Sequence, residues 1–465
     1  MISETVVDLS SWQFSIIAIS HLLLLPLTLS LSALLAVLET LYVWRGNLIY
    51  KTACQFWSRI FAVVFVLGVA TRLGLLFQFG MNASYFSNYG GDVFALPLAI
   101  EALTSAFMAS ALFGPYLFGW ERFSKGQHLL IIWIIAIAIK FSAVWLVVAE
   151  SWLQNPVGSE FNFQSLRMEL TDFSLVVTNP LVFNKIYHTL AAGYAVGAAS
   201  ILAVCSWLLL KNPADQAARK SYQLSAILGV LAILIICSGD NTLKSGNPVQ
   251  IRKFAAVNAL DSSNMLTGIE LQISNGIKAY ELLQELRDEK NDPQLLSDFN
   301  GLKADLGYAL LLERWTNHIT DANYTQIELA KKFTLPPHHA LLFLFNRLMI
   351  VVGIINLLLF GLAVWQGFSK TPPQSWLLKL NMQLLLLPWL AFVGGWFIAI
   401  VGIQPWAMAE ILPVFLSLST LSVKELLISL PVYLICYAGL LLLALYLILH
   451  IINSQVSIRD TGVKT

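Results

Sequence analysis

Nine apolar runs, each long enough to cross a lipid bilayer, dominate this sequence. A hydrocarbon core about 30 Å thick requires about 20 consecutive apolar residues in a helix. Backbone N–H and C=O groups in lipid must bond within their own segment, so each run is predicted to be a helix. The sequence therefore predicts an all-α, polytopic membrane helix bundle with about nine transmembrane helices. The runs are 15–43, 59–80, 94–119, 128–153, 180–210, 222–238, 341–366, 379–402 and 430–452.

The amino-acid composition agrees with a membrane protein and argues against several other classes of protein. The chain is 57% hydrophobic and 12% charged, whereas soluble domains are about 25% charged. The net charge of +1 does not favour binding to nucleic acid through phosphate neutralisation, so we expect no nucleic-acid partner. The four cysteines are isolated and form no CxxC pair, which does not favour a zinc ribbon or a disulfide scaffold.

Basic residues predict the orientation of the spans. Arg45, Lys51 and Arg59 follow the first run, whereas residues 80–94 contain no Lys or Arg. Loops that are rich in Lys and Arg continue to alternate with loops that contain few of them, and the rich loops face the cytoplasm. We therefore expect the N-terminus outside and the C-terminus inside. The further basic residues on the predicted inner side are Arg122, Lys125, Lys211, Arg219, Lys220, Lys370, Lys379, Arg459 and Lys464.

A polar stretch, residues 239–340, separates the sixth and seventh runs. It is too long for a simple connection. It divides the chain into residues 1–238 with six helices, an outer segment, and residues 341–465 with three helices and a short cytoplasmic tail. The outer segment is either a soluble cap or a lid or substrate-binding loop.

Within this outer segment, Gly268–Glu289 has helical periodicity. Its apolar residues lie on one face, with Leu271 and Leu286 predicted to lie off that face. A second helical stretch is predicted at Leu302–Trp315.

Ionisable side chains inside the spans are costly and are candidates for function. Five groups on five runs, His21, Arg72, Glu101, His188 and Met349, are predicted to lie about 10–13 Å below the outer surface. His and Met ligate iron in haem proteins. Haem binding and proton-coupled transport therefore both remain open, as does a packing role for a lone His or Met. The other ionisable residues of the runs are Glu39, Lys140 and Glu150, with Arg347 near the start of the seventh.

Local motifs distinguish these possibilities. The chain resembles subunit I of the cytochrome bd family of quinol oxidases over nearly its whole length. The motifs that carry the resemblance are SHLLLLPLTLSL around His21, ETLYVWRGNLIYK, FQFG, SYFSNYGGDVFALPLAIEA, WLQNP, KIYHTLAAGY around His188, NGIKAYELLQELR, DLGYALLLERW, NRLMIVVG, GGWFIA and QPWAMAEILP.

The resemblance implies an enzyme that passes electrons from quinol through a low-spin haem b to a high-spin haem centre, where oxygen is reduced to water. It implies a location in the bacterial cytoplasmic (inner) membrane and a membrane potential built without a proton pump. The implied partners are subunit II, quinol, oxygen and the lipid bilayer, with a small accessory subunit left open. Lys140 has no evident partner within the chain.

The resemblance also assigns residues. His188 and Met349 match the axial pair of low-spin haem b, and His21 matches the ligand of a high-spin haem, which we expect to be haem d. Glu101 matches the acid beside that centre. The positions near the haems are Arg347 and Trp396, and those in the quinol-binding loop are Gln250 and Lys253.

Departures from the family pattern complicate this assignment. Ile400 replaces a Glu that ligates a second high-spin haem b, so the sequence leaves open whether that haem is lost or ligated elsewhere. Asn258 replaces the Glu of the quinol loop, and Glu150 replaces an Asn. Arg72 is a candidate partner for a haem propionate, and Lys140 is either a snorkelling or paired lysine or a proton-handling group. The remaining departures are Ser11, Leu76, Ala109 and Ile403.

These losses support an alternative. A non-oxidase paralogue would retain only the low-spin haem and act as an electron-transfer or assembly subunit. A proton-coupled transporter remains a third, more distant alternative.

Overall fold

A computed structural model describes residues 3–238, 247–260, 266–288 and 292–460, without the side chains of 288 and 456–460. Within these ranges, nine helical segments are long and apolar enough to cross a membrane, as predicted. The predicted boundary at residue 239, and Glu289 and Lys464, lie outside the described residues. The nine segments are Glu4–Arg45, Leu48–Met81, Ser84–Phe118, Lys125–Gln154, Val182–Lys211, Gln216–Cys237, His339–Phe368, Ser375–Val401 and Val423–Gln455.

Several segments are interrupted. The helices are α1 Glu4–Leu22, α2 Leu25–Arg45, α3 Leu48–Met81, α4 Ser84–Glu101, α5 Phe107–Phe118, α6 Lys125–Gln154, α7 Phe173–Val177, α8 Val182–Lys211, α9 Gln216–Cys237, α10 Pro248–Asn258, α11 Ile269–Asp288, α12 Pro293–Leu302, α13 Leu306–Leu310, α14 Tyr324–Phe333, α15 His339–Phe368, α16 Ser375–Gln383, α17 Leu386–Val401 and α18 Val423–Asp460.

The start of the first span was predicted too late, because polar residues of the first turns mask its helical character. His21 lies in the last turn of α1, at a break before α2. The predicted depth of about eight residues for His21 is therefore wrong. Pro26 stands at the beginning of α2, where the missing N–H of a proline costs nothing. A second interruption is a π-helical turn, Ala102–Ala106, directly after Glu101.

The main core lies where α2, α3, α8 and α9 pack together. Gly197 on α8 makes the close approach to α2 possible, because a Cβ there would collide with Ser30. Buried polar side chains are bonded across this core: the Trp57 indole donates to Ser221 at 2.9 Å. The last helix, α18, packs on α1 and α3.

The described part of the outer segment folds into short helices, α10–α14, against two small antiparallel hairpins. The strand pairs are Ser159–Asn162 with Arg167–Leu170 and Trp406–Met408 with Leu412–Pro413.

The predicted amphipathic helix exists as α11, with Leu271 exposed as expected. The placement of Leu286 is wrong: it is fully buried because α12 covers that side of α11. The predicted helix at 302–315 is also wrong. It is α13 flanked by two 3₁₀ turns, Lys303–Asp305 and Leu311–Arg314.

Candidate functional site

A cavity of about 530 Å³ lies among α6, α8, α9, α10, α15 and α17. Its volume is within the range of roughly 300–1,000 Å³ typical of sites for small molecules and cofactors. Six of the eight residues assigned from the resemblance line it, although they come from four different helices. They are His188, Met349, Arg347, Trp396, Gln250 and Lys253.

Two potential iron ligands face this cavity. His188 lies near the start of α8, and Met349 lies on α15. Gly395 of α17 lies beside Met349: a Cβ there would be 3.4 Å from the methionine methyl group. An imidazole and a thioether on two helices are the donor set of a low-spin haem. The residues present therefore fit a haem b.

Arg347 supplies positive charge at the same cavity. Its guanidinium lies 5.0 Å from the centre of the Phe343 ring, and it donates to Asn258 Oδ1 at 3.3 Å. A guanidinium suits a planar carboxylate such as a haem propionate. Its assignment as a residue near a haem stays a prediction.

A chain of hydrogen bonds forms one wall. Gln250 Nε2 donates to Gln154 Oε1 at 2.9 Å, and Gln154 Nε2 donates to Glu150 Oε1 at 2.7 Å. Lys185 Nζ approaches the same oxygen at 3.3 Å. The sequence reading missed Gln154 and Lys185. Lys185 precedes His188 by three positions on α8, a spacing that places two helical residues on one face and could have revealed it.

The position of α10, which carries Gln250 and Lys253, is fixed by a charge pair between a buried arginine and a partly exposed glutamate. Arg252 donates to Glu410 Oε1 at 3.1 Å, and the Tyr308 hydroxyl donates to the same oxygen at 2.5 Å. Burial raises the pKa of Tyr308, so its hydroxyl stays protonated as a donor. The stem of Lys253 packs on Gly402.

His21 and Glu101, the other two assigned residues, do not line this cavity. They are held by consecutive residues of α3, Thr71 and Arg72, and these four residues are called the second cluster. His21 Nδ1 is 3.1 Å from the Thr71 hydroxyl, which itself lies 3.0 Å from the Leu67 and Gly68 carbonyl oxygens. A partner on Nδ1 fixes the ring and directs Nε2 to a metal. His21 therefore has the support expected of a haem ligand.

Glu101 is fully buried and is held from two helices. Two guanidinium nitrogens of Arg72 contact its two oxygens, and the Ser142 hydroxyl donates to Oε1. Arg72 thus has a protein carboxylate as its partner; its pairing with a haem propionate stays a prediction. Glu101 adjoins the π-helical turn, a feature common at functional sites.

The substituted positions fall in different environments. Ala109 is buried in the main core, whereas Ile400 is 46% exposed at the surface of the chain. Lys140 does have partners, contrary to the sequence reading: its ammonium donates to the Ala136 carbonyl at 2.9 Å and lies 5.9 Å from the Tyr194 ring. The paired interpretation of Lys140 is therefore favoured.

Comparison with known proteins gives the family. The family model described as cytochrome bd terminal oxidase subunit I matches residues 9–456. The chain belongs to the cytochrome bd subunit I family. Membership in it implies haem cofactors and electron transport.

Two curated relatives of this cytochrome bd subunit I cover most of the chain. The cytochrome bd-II ubiquinol oxidase subunit 1 of Escherichia coli K12 is 36% identical, over 95% of each chain. The cytochrome bd ubiquinol oxidase subunit 1 of Bacillus subtilis 168 is 30% identical, over 88% of this chain and 85% of the relative.

A solved structure supports the cytochrome bd fold. The bd oxidase structure from Geobacillus thermodenitrificans matches with a TM-score of 0.71 at 17% identity, covering 98% of this chain and 100% of that one.

Proposed function

We propose that this protein is subunit I of a quinol:oxygen oxidoreductase that passes electrons from quinol through a low-spin haem b to a high-spin haem centre. The observation that carries this proposal is one cavity lined by a His–Met pair and by Gln250 and Lys253 of α10. Haem-binding and quinol-binding groups then share one space, as electron transfer between their ligands requires. The E. coli and B. subtilis relatives are named ubiquinol oxidases.

His188 and Met349 would hold the low-spin haem b, with Arg347 opposing the charge of a propionate and Trp396 packing nearby. The haem would supply one-electron transfer when bound. Gln250 and Lys253 would bind and orient the quinol oxygens through their N–H donors. Arg252 and Glu410 keep these two side chains in place by fixing α10.

Reduction of oxygen is assigned to the second cluster. His21 would hold a high-spin haem, which we take as haem d, and Glu101 would hold a proton beside it. Ile400 offers no ligand for a second high-spin haem b. The carboxylate of Glu101 is oriented by Arg72 and Ser142.

The proposed partner is subunit II, since the named relatives are first subunits, and a small accessory subunit is a further candidate. An odd number of spans, as described, would place the two ends on opposite sides of the bacterial cytoplasmic membrane. Basic loops favour the N-terminus outside. Release of quinol protons outside and uptake of protons inside would then generate a potential without pumping.

One observation favours the alternative paralogue that retains only the low-spin haem. Arg72 occupies both oxygens of Glu101, and Ala109 and Ile400 carry no carboxylate. The second cluster would then be a structural ion pair, and the first cavity would still hold a haem.

The deciding experiment is a reduced-minus-oxidised spectrum of the purified complex, with extracted haem counted per subunit I. A low-spin b haem together with a d-type band supports the oxidase. A single low-spin b haem supports the paralogue, and no haem refutes both. Met349→Leu should abolish the low-spin band, whereas Met168→Leu, a buried methionine on the 159–170 hairpin, should leave it unchanged.

A further inference from the structure

The cavity is lined by more cationic side chains than carboxylates. Three cationic side chains, Lys185, Lys253 and Arg347, face it together with His188. Among the described lining residues, Glu150 is the only carboxylate. A site that oxidises quinol must remove protons as well as electrons, and a carboxylate is the one side chain in this set suited to accept them on the outer side.

Glu150 is connected to the quinol-binding helix. The bonds from Gln250 to Gln154 and from Gln154 to Glu150 both run with the amide N–H pointing towards the carboxylate. The Lys185 ammonium and the Gln154 amide both contact Oε1. Oε2 is therefore the oxygen on which a proton can be placed without breaking these bonds.

Glu150 also lies near one end of its helix. It is one turn from the end of α6 at Gln154, and its side chain, which lines the cavity, is 23% exposed. A proton taken up there lies close to the end of the span and need not cross the bundle to leave it.

The opposite wall lacks such a group. Asn258 lines the same cavity on α10, accepting from Arg347 and donating to the Phe254 carbonyl at 3.0 Å. An amide cannot accept a proton under these conditions. The carboxylate that this chain lacks at 258 is present across the cavity at 150.

We propose that Glu150 accepts the protons released by quinol in this protein. This inference rests on the proposed quinol oxidase function. In each of two steps, a quinol O–H bond breaks and a carboxyl O–H bond forms on Glu150, while one electron leaves the quinol. The haem that His188 and Met349 would hold would supply the one-electron acceptor. Glu150 then releases the proton to the outer water. Two such steps yield one quinone, two protons and two electrons.

The titratable or charged groups that line the cavity with Glu150 are Lys185 and His188 from α8, Lys253 from α10 and Arg347 from α15. The described lining residues of α9 and α17 carry no charge. The rate of quinol oxidation should therefore depend on the carboxylate of Glu150.

The test compares Glu150→Gln with wild type in the intact complex, using a short-chain ubiquinol analogue. E150Q should lower kcat by about 10²-fold, while the haem spectrum stays unchanged. The matched control is Glu160→Gln. Glu160 also pairs with a lysine, Lys303, at 3.1 Å but lies outside the cavity, so E160Q should behave as wild type.

A rescue variant and a spectroscopic readout complete the design. Asn258→Glu in the E150Q background returns a carboxylate to the cavity and should restore most of kcat. Infrared difference spectra on binding the quinone analogue should show a carboxyl C=O band in wild type that E150Q lacks.

The outcomes separate the two proposals. A haem-loaded wild-type complex that oxidises no quinol refutes the oxidase function itself. An active wild type whose E150Q variant keeps the wild-type rate overturns the role of Glu150 alone. If E150Q loses its haem, the inference is tested by the rate of the double variant and by the carboxyl band in the infrared spectrum of wild type. A haem-loaded but inactive double variant, or no carboxyl band in wild type, overturns the inference.

Discussion

Replacing Arg72 by leucine should expose the energetic cost of the buried carboxylate at Glu101. The Arg72 side chain is 16% exposed and that of Glu101 is fully buried. Removing one partner of a buried ion pair costs about 3–5 kcal/mol, because the remaining charge is left without compensation. Ser142 still donates to Glu101 in this variant, so we expect the lower part of that range, about 3 kcal/mol.

The companion variant removes both charges. Arg72→Leu with Glu101→Leu should be close to wild type in stability, since apolar pairs often replace buried ion pairs without loss. Unfolding by SDS in mixed micelles, followed by circular dichroism, measures the differences. Arg167→Leu is the control: Arg167 pairs with Glu169 at 3.5 Å at the surface, and its loss should cost under about 1 kcal/mol.

The haem spectrum gives a second readout. If His21 holds a haem beside this pair, R72L should also lower the haem content, because Glu101 must reorganise or take up a proton. An R72L variant as stable as wild type, or a double variant no more stable than R72L, would refute this account of the cluster.

Two further predictions concern packing and pH. Gly229→Ala should destabilise the protein by about 1–3 kcal/mol, because its Cβ would lie 2.5 Å from the buried Phe360 ring; Gly361→Ala, with open space around it, should cost nothing in the same SDS titration. In the 159–170 hairpin, hydrogen bonds from Asn162 and Ser165 hold the pKa of Glu169 below its ordinary value of 4.5. The ionised Glu169 therefore contributes fully to the stability of the hairpin above pH 4.5. This contribution is lost as the pH falls through the lowered pKa. Glu169→Gln should remove that dependence in amide exchange of the hairpin.

The sequence predicts the spans well because hydropathy is a property of consecutive residues. The ends of the spans and the breaks within them are harder to predict from the sequence. The break after His21 has a local signal, Pro26, which favours the start of a helix. The burial of Leu286 has no local signal in the sequence. It depends on α12, which covers a face of α11 that periodicity alone does not predict to be buried.

The candidate site also has features that the sequence predicts and features that only the structure shows. Motifs around His188 and Met349 identified residues that the structure places on one cavity. The contact between Arg72 and Glu101 joins α3 to α4, and side-chain partners on different helices follow from packing, not from spacing. The sequence shows Glu150 as an ionisable residue within a span and as a substitution; its connection to Gln250 through Gln154 required coordinates.

The last helix has a consequence for how the protein is made. Tyr437 of α18 donates to the Thr71 carbonyl at 3.3 Å, and Ser429 donates to Gln13 of α1 at 2.6 Å. Thr71 is the residue that orients His21. The ribosome synthesises α1 and α3 first and α18 last, so the surroundings of His21 stay incomplete until the end of translation. If His21 holds a haem, its insertion should then follow release of the finished chain, whereas α8 and α15, which carry His188 and Met349, are in the membrane earlier.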